Sequence, residues 1–304
     1  MRPRDIALAV AVAAVWGVNF VVIAVGLEHF PSLLFSALRF GLAAVPALFF
    51  VGRPQVPWRW VIAVALALAV TKFSLLFFGI EAGMPAGLSS LVLQSQAVFT
   101  TVFAVLLLRE RPRPVQLAGL AVAVAGLGVV AARLGPDRPP VAFALVIAAA
   151  VAWGLSNVAT RKASPPDSLR FMVWVSALGA VPLFGLSLIV DGPAADLAAL
   201  RTVTLPAAGA VLFIAFVATL GGFGAWGSLI KRYGASTVAP FSMLVPFFGM
   251  GSAALFLGEP IHTQDVIGGA LVIGGVLLPL VLRPRPTAQN RPEPAPAAPI
   301  GSTA

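Results

Sequence analysis

Two basic residues interrupt stretches that are otherwise suited to lipid: Arg39 in FSALRFGLAAV and Lys72 in AVTKFSLLFF. A cation at the centre of an apolar membrane-length run costs about 2.5–3.5 kcal/mol on insertion scales, so such groups face a protein interior, a water-filled cavity or an anion. Arginine offers a planar fork that matches a carboxylate in bidentate fashion, and lysine offers a point charge. Placed at one depth, the pair would capture a carboxylate. Two bland readings stand beside this one. Lys72 can snorkel outward along its aliphatic stem or serve structure alone, and Arg39 can bond helix-end carbonyls.

Uncharged polar residues in other apolar runs extend the pattern. Around Leu91, at 100° per residue, Ser89, Gln96 and Thr100 fall on one stripe and Ser90, Gln94 and Thr101 on another. Together they form a broad arc expected to face a watery cavity, where amides can hold both ends of a zwitterion; hydrogen bonding between helices is the alternative. Trp16 and Asn19 share one helical face, and Trp153 and Asn157 share another. Both tryptophans lie about a dozen residues into their runs, which suits a cavity wall or gate. Near Ser242, Pro240 and Pro246 break a helix and free carbonyls that need internal partners or water.

Other chemistries lack their residues. The chain has no cysteine, so thiolate nucleophiles, disulfides and cysteine-ligated metals are excluded. His29 and His262 fall near loops without metal-ligand spacing. No Gly-rich phosphate loop, paired carboxylates or Ser/His/Asp set is present, so the sequence predicts neither an enzyme nor a cofactor. The net charge of +9 is spread between apolar runs rather than gathered on one face, which argues against nucleic acid. No embedded acid offers itself as a proton carrier. Proton coupling is left open, with Lys72 as its one titratable candidate.

The elements that must position these residues are membrane spans. Hydrophobic residues make up 59% of the 304-residue chain and charged ones 10%, far below the roughly 25% of soluble domains. Ten apolar runs are predicted as helices, over about 5–26, 32–51, 58–80, 85–107, 114–132, 141–160, 169–190, 205–230, 236–257 and 264–282. Pro31, Pro57, Pro85, Pro114 and Pro206 lie at or near their starts. With the N-terminus inside, fifteen basic residues fall in cytoplasmic segments and three, Arg133, Arg138 and Arg201, in outer ones. The two left over are Arg39 and Lys72. Both termini are therefore expected in the cytoplasm of a bacterial cell, and residues 284–304 read as a disordered Pro/Ala-rich tail.

The chain also repeats itself. AVWGVN at Ala14–Asn19 resembles AWGLSN at Ala152–Asn157, and AVPALF at Ala44–Phe49 resembles AVPLF at Ala180–Phe184. Glu110, Gly119 and Gly126 match Glu259, Gly268 and Gly275. A first repeat is placed at 1–135 and a second at 136–283. Five spans per repeat is an odd number, so the second copy enters the bilayer upside down, as in many secondary transporters. Spans five and ten carry glycines but almost no polar groups, and read as packing elements with a homodimer contact as one option.

VWGVNFVVIAVGL, LRFGLAAVPALFFVGRPQVP, MPAGLSSLVLQSQAVFT and RYGASTVAPFSMLVP resemble the EamA branch of the drug/metabolite transporter superfamily, over roughly residues 5–283. The resemblance implies ten helices in an inner membrane and export of small metabolites. Within that branch it is closest to exporters of O-acetylserine and cysteine, although Lys72 stands where a neutral residue such as glutamine is expected. The site residues implied together are Arg39, Lys72, Asn19, Trp16, Ser90, Gln94, Gln96, Trp153, Asn157 and Ser242. The expected partner is a carboxylate-bearing amino acid or derivative, carried by alternating access. A drug exporter of the same superfamily, a channel and a membrane enzyme are the alternatives.

Overall fold

The computed structural model describes residues 1–133 and 140–282, and all regular elements among them are helical. The first repeat contributes α1 (Pro3–Leu27), α2 (Ser32–Leu48), α3 (Trp58–Glu81), α4 (Ala86–Leu108) and α5 (Pro114–Arg133). The second contributes α6 (Pro140–Ala163), α7 (Ser168–Val190), α8 (Pro193–Arg201), α9 (Leu205–Tyr233), α10 (Ala239–Leu257) and α11 (Thr263–Val281). Pro31, Pro57 and Pro85 occupy N-caps, and Pro114 and Pro206 open their helices, as the sequence pattern predicts. Pro46 and Pro182, in contrast, lie inside α2 and α7.

Among the described residues eight helices are long and apolar enough to cross a membrane. The other two apolar helices are shorter: α2 stops at Leu48 rather than near 51, and the apolar part of α11 ends at Pro279. The segment between α7 and α9, outside the ten predicted runs, holds the nine-residue helix α8. It starts on Pro193 with Asp196 in its first turn, a start signal present in the sequence but too short to register as a span. The residues assigned to the tail, 284–304, lie outside the described residues, as do the side chain of Arg133 and the whole of Arg138.

The duplication is visible in the irregularities. A π-helical stretch interrupts α3 at Ala65–Lys72 and α9 at Phe213–Gly221. A 3₁₀ turn breaks α4 at Leu93–Ser95, and another opens α10 at Ala239–Leu244. Both Arg109 and Gly258 adopt left-handed φ, 55° and 66°, to end α4 and α10. In each case the next amide, of Glu110 or Glu259, returns to a carbonyl six residues earlier, of Ala104 or Ala253. Matched defects separated by about 149 residues follow from a common local sequence, since nothing in generic apolar helix demands them.

Packing follows the same symmetry. α2 lies on α7, α1 on α10, and α4 on α6. α5 and α11 meet through glycine: a Cβ on Gly126 would stand 2.7 Å from the Gly268 carbonyl oxygen, and one on Gly119 would collide with the Gly275 carbonyl. These four glycines pack within the chain, whereas Gly128 and Gly274 face open space. The core that binds the bundle is built on Phe30, Phe35, Phe40, Phe73 and Phe77, with Leu34, Leu76 and Ile214.

Candidate functional site

The broken helices α3 and α9 bring the two cations together. Arg39, on α2, is 3% exposed, and Lys72, at the end of the α3 π-stretch, is 5% exposed. Neither reaches lipid. The Arg39 guanidinium carbon lies 4.0 Å from the centre of the Phe73 ring, and the Lys72 ammonium lies 3.3 Å from the same centre. The ring thus fixes the two cations as neighbours, each gaining cation–π attraction. Trp153 approaches Lys72 as well, at 4.7 Å, and Phe40 stands 5.5 Å from Arg39.

No carboxylate of the described residues pairs with either cation. Arg39 donates from Nε to the Thr219 hydroxyl at 3.1 Å, and Nη1 is buried with no acceptor. An unsatisfied buried donor costs about 1–3 kcal/mol, and more when charged, unless something arrives to accept from it. Thr219 in turn donates to the Ile214 carbonyl at 2.7 Å, five residues back, tying the arginine to the π-stretch of α9. Sequence reasoning missed Thr219. Its signal is plain in retrospect, because it is the one polar side chain in FIAFVATLG, the counterpart of the stretch that ends in Lys72.

Trp16 comes close to this centre by another route. The Trp16 indole donates to the Ala218 carbonyl at 2.9 Å, one residue before Thr219, and its ring packs against Phe223 and Trp226. Asn19 is buried on α1, and its Oδ1 has no hydrogen-bond partner. The α4 arc behaves differently from expectation. Residues 86–95 are buried on every side, so this half of the helix faces protein rather than an open cavity. Ser90 donates to the Gly87 carbonyl and lies against Gly249; Gln94 donates to the Ser242 carbonyl at 3.1 Å. Ser242 itself bonds the Ala239 carbonyl. The Ser242 carbonyl, which Pro246 cannot bond four residues on, therefore accepts from the Val245 amide and from Gln94 of α4. Gln96 and Asn157 find each other, with the Asn157 amide donating to Gln96 Oε1 at 2.6 Å and to Thr100 at 3.1 Å.

The sequence-predicted residues thus form two groups. Arg39 and Lys72 flank Phe73, with Trp153 against Lys72 and Trp16 attached through the neighbouring Ala218–Thr219 segment; Asn19 joins neither group and is buried on α1 with its Oδ1 unpartnered. Ser90, Gln94, Gln96, Asn157 and Ser242 cross-link helices. Among the described residues no set of His, Cys, Asp or Glu is arranged to hold a metal ion.

Comparison with known proteins decides the family. The chain matches the EamA-like transporter family twice, over residues 4–132 and 141–281. The chain belongs to that family. It is 39% identical over 284 residues to the "Probable amino-acid metabolite efflux pump" of Escherichia coli (strain K12), covering 91% of this chain and 95% of that protein. It is 28% identical to the "Probable terminal-alkyne amino-acid exporter" of Streptantibioticus cattleyicolor, covering 86% of this chain and 89% of that protein. A solved crystal structure superposes with a TM-score of 0.61 at 20% identity, covering 93% of this chain and 98% of that one, and supports the fold alone. This EamA protein is accordingly a multi-pass inner-membrane transporter and not an enzyme.

Proposed function

We propose that this EamA transporter exports carboxylate-bearing amino acids or their derivatives, O-acetylserine and cysteine foremost, by alternating access. The observation that carries this reading is the cation pair around Phe73, buried and without a protein anion, with an arginine N–H left unpartnered. A substrate carboxylate supplies the missing acceptor; the unpartnered Asn19 oxygen is available for the substrate ammonium, and Trp16 and Trp153 wall the site. Gln94, Gln96, Ser90, Asn157 and Ser242 hold the helix contacts that must exchange as the halves rock. Relatives whose names describe amino-acid efflux and export support the cargo class.

Ten spans, in two inverted five-helix repeats divided near 135, complete the proposal. α2 and α11 cross as its shorter members, and both termini face the cytoplasm. One end of the bundle then faces outward, where Glu81 meets Ser32 and His29 meets the Ala199 carbonyl. The other faces the cytoplasm, where Arg232 pairs with Asp5 and Arg161 with Glu110. Counterflow in proteoliposomes against a panel of amino acids and acetylated amino acids, with and without a pH gradient, tests the cargo and its coupling. Saturable exchange of the carboxylate-bearing compounds is expected, and flux that never saturates would point to a channel instead.

A further inference from the structure

The two ends of the bundle are not in the same state, and two symmetry-related glutamates mark the difference. At the outer end Glu259 accepts from the Ala86 amide at 2.7 Å and the Gly87 amide at 3.0 Å, across 172 or more residues of chain. Its carboxylate caps the start of α4, where the first amides of a helix have no partner of their own. α4 and α10 close tightly there: a Cβ on Gly87 would stand 3.0 Å from both Ala253 Cβ and Met250 Cα.

The repeat register maps Glu259 onto Glu110, and Ala86 and Gly87 onto Ala235 and Ser236, at the start of the helical turn that leads into α10. Among the described residues no equivalent closure is seen. Glu110 pairs with Arg161, half exposed, at the cytoplasmic end of α6. Val245–Leu257 packs extensively on Ala86–Val92, whereas the principal neighbours of Ala235–Val238 are its own flanking segments, Gly222–Tyr233 and Ala239–Leu244. The repeat mate of Arg161 is Ala24, so no cation competes for Glu259.

We infer that Glu259 and Glu110 are alternating latches of the transport cycle. Glu259 on the Ala86 and Gly87 amides holds the outer end shut while the cytoplasmic end is open. In the opposite state Glu110 leaves Arg161 and caps the Ala235 and Ser236 amides, and Glu259 lets go. Arg161 is the parking site that keeps Glu110 off its latch. Each carboxylate has a strong partner in one state and a weaker one in the other, which is the differential interaction a two-state equilibrium needs.

This inference rests on the orientation and alternating access proposed above, and labelling from both faces separates the two failures. The chain contains no cysteine, so single reporters need no background removal. Met250→Cys reports the outer contact and Thr101→Cys, its repeat mate, the inner one; a membrane-impermeant maleimide is applied to cells or to inside-out vesicles. Glu259→Gln should raise outer labelling of Met250→Cys by about tenfold, the equilibrium shift expected for losing one charge-assisted hydrogen bond, and lower inner labelling of Thr101→Cys. Glu110→Gln should lower outer labelling. Arg161→Gln, which breaks the same ion pair, should raise it by freeing Glu110. Opposite effects from the two partners of one ion pair are the signature of a latch. If Glu110→Gln and Arg161→Gln change labelling in the same direction, or if Glu259→Gln leaves a well-inserted protein unchanged, the latch is refuted. If the reporters respond as described but from the opposite faces, the orientation is wrong and the latch stands.

Discussion

At the scale of the residue, the proposed site rests on two buried cations that no carboxylate of the described residues pairs. Arg39 has one anchor, the Thr219 hydroxyl, and one unpartnered nitrogen. Arg39→Lys keeps the charge but loses the fork and the Thr219 bond, and should raise the transport KM for carboxylate substrates about tenfold with a smaller effect on kcat. Thr219→Val removes the anchor and leaves the cation in place; a threefold to tenfold rise in KM is expected, roughly one hydrogen bond's worth. Equal losses for a substrate without a carboxylate would show that both changes merely loosen the bundle. The cations themselves were legible in the sequence, since a charge within twenty apolar residues announces itself. Thr219 was not, because a lone threonine in a helix bonds its own backbone in most settings, as Thr100 and Thr101 do here.

At the scale of the element, defects and close contacts matter more than propensity. The π-stretches that place Lys72 and Thr219 leave no periodic trace, so their positions could not be read from a 3.6-residue pattern; only the structure shows them. The α4 arc was legible as polar but not as buried, because hydrogen bonding to α6 and α10 depends on partners far away in sequence. The glycine seam of α5 and α11 was legible as packing. Gly126→Leu should lower the thermal midpoint of the purified protein by forcing side chain into the Gly268 backbone, about 1–3 kcal/mol of overpacking. Gly128→Leu, with nothing near its Cβ, should leave the midpoint unchanged. Equal effects would place the seam elsewhere.

Helix α8 supplies a pH-dependent element at the end of the bundle that holds Glu81 and Ser32. The Ser187 hydroxyl lies between Asp191, at 3.2 Å, and the nearly buried Asp196, at 2.9 Å. Burial pushes the Asp191 carboxyl above its ordinary value of 3.8, with the Asp196 and Glu81 charges adding to the effect and the Ser187 bond opposing it. A raised acid binds its proton more tightly in the folded state, so folding is favoured at low pH and stability falls as pH rises from the ordinary value through the raised one. Thermal unfolding in detergent across that window should show the decline, and Asp191→Asn should flatten it. A wild-type slope of the opposite sign would contradict the assignment.

At the scale of the whole molecule, duplication explains the scaffold and underlies the proposed motion. Two copies of one helical unit repeat their breaks at Ala65–Lys72 and Phe213–Gly221, and their left-handed ends at Arg109 and Gly258, yet differ in the partners of Glu259 and Glu110. The repeats and the membrane setting were legible because composition and matched motifs survive in the sequence. The conformational asymmetry was not, because identical motifs give no indication of which copy is engaged. The cation pair breaks the symmetry too, and it is the feature on which the proposed cargo recognition depends. Equilibrium binding to the purified transporter tests it directly, comparing O-acetylserine with its carboxamide, in which the carboxylate alone is neutralised. The account predicts binding of the acid that is at least about tenfold tighter, with the difference abolished when Arg39→Gln and Lys72→Gln are combined. Equal affinity for acid and amide in the wild-type protein would contradict it.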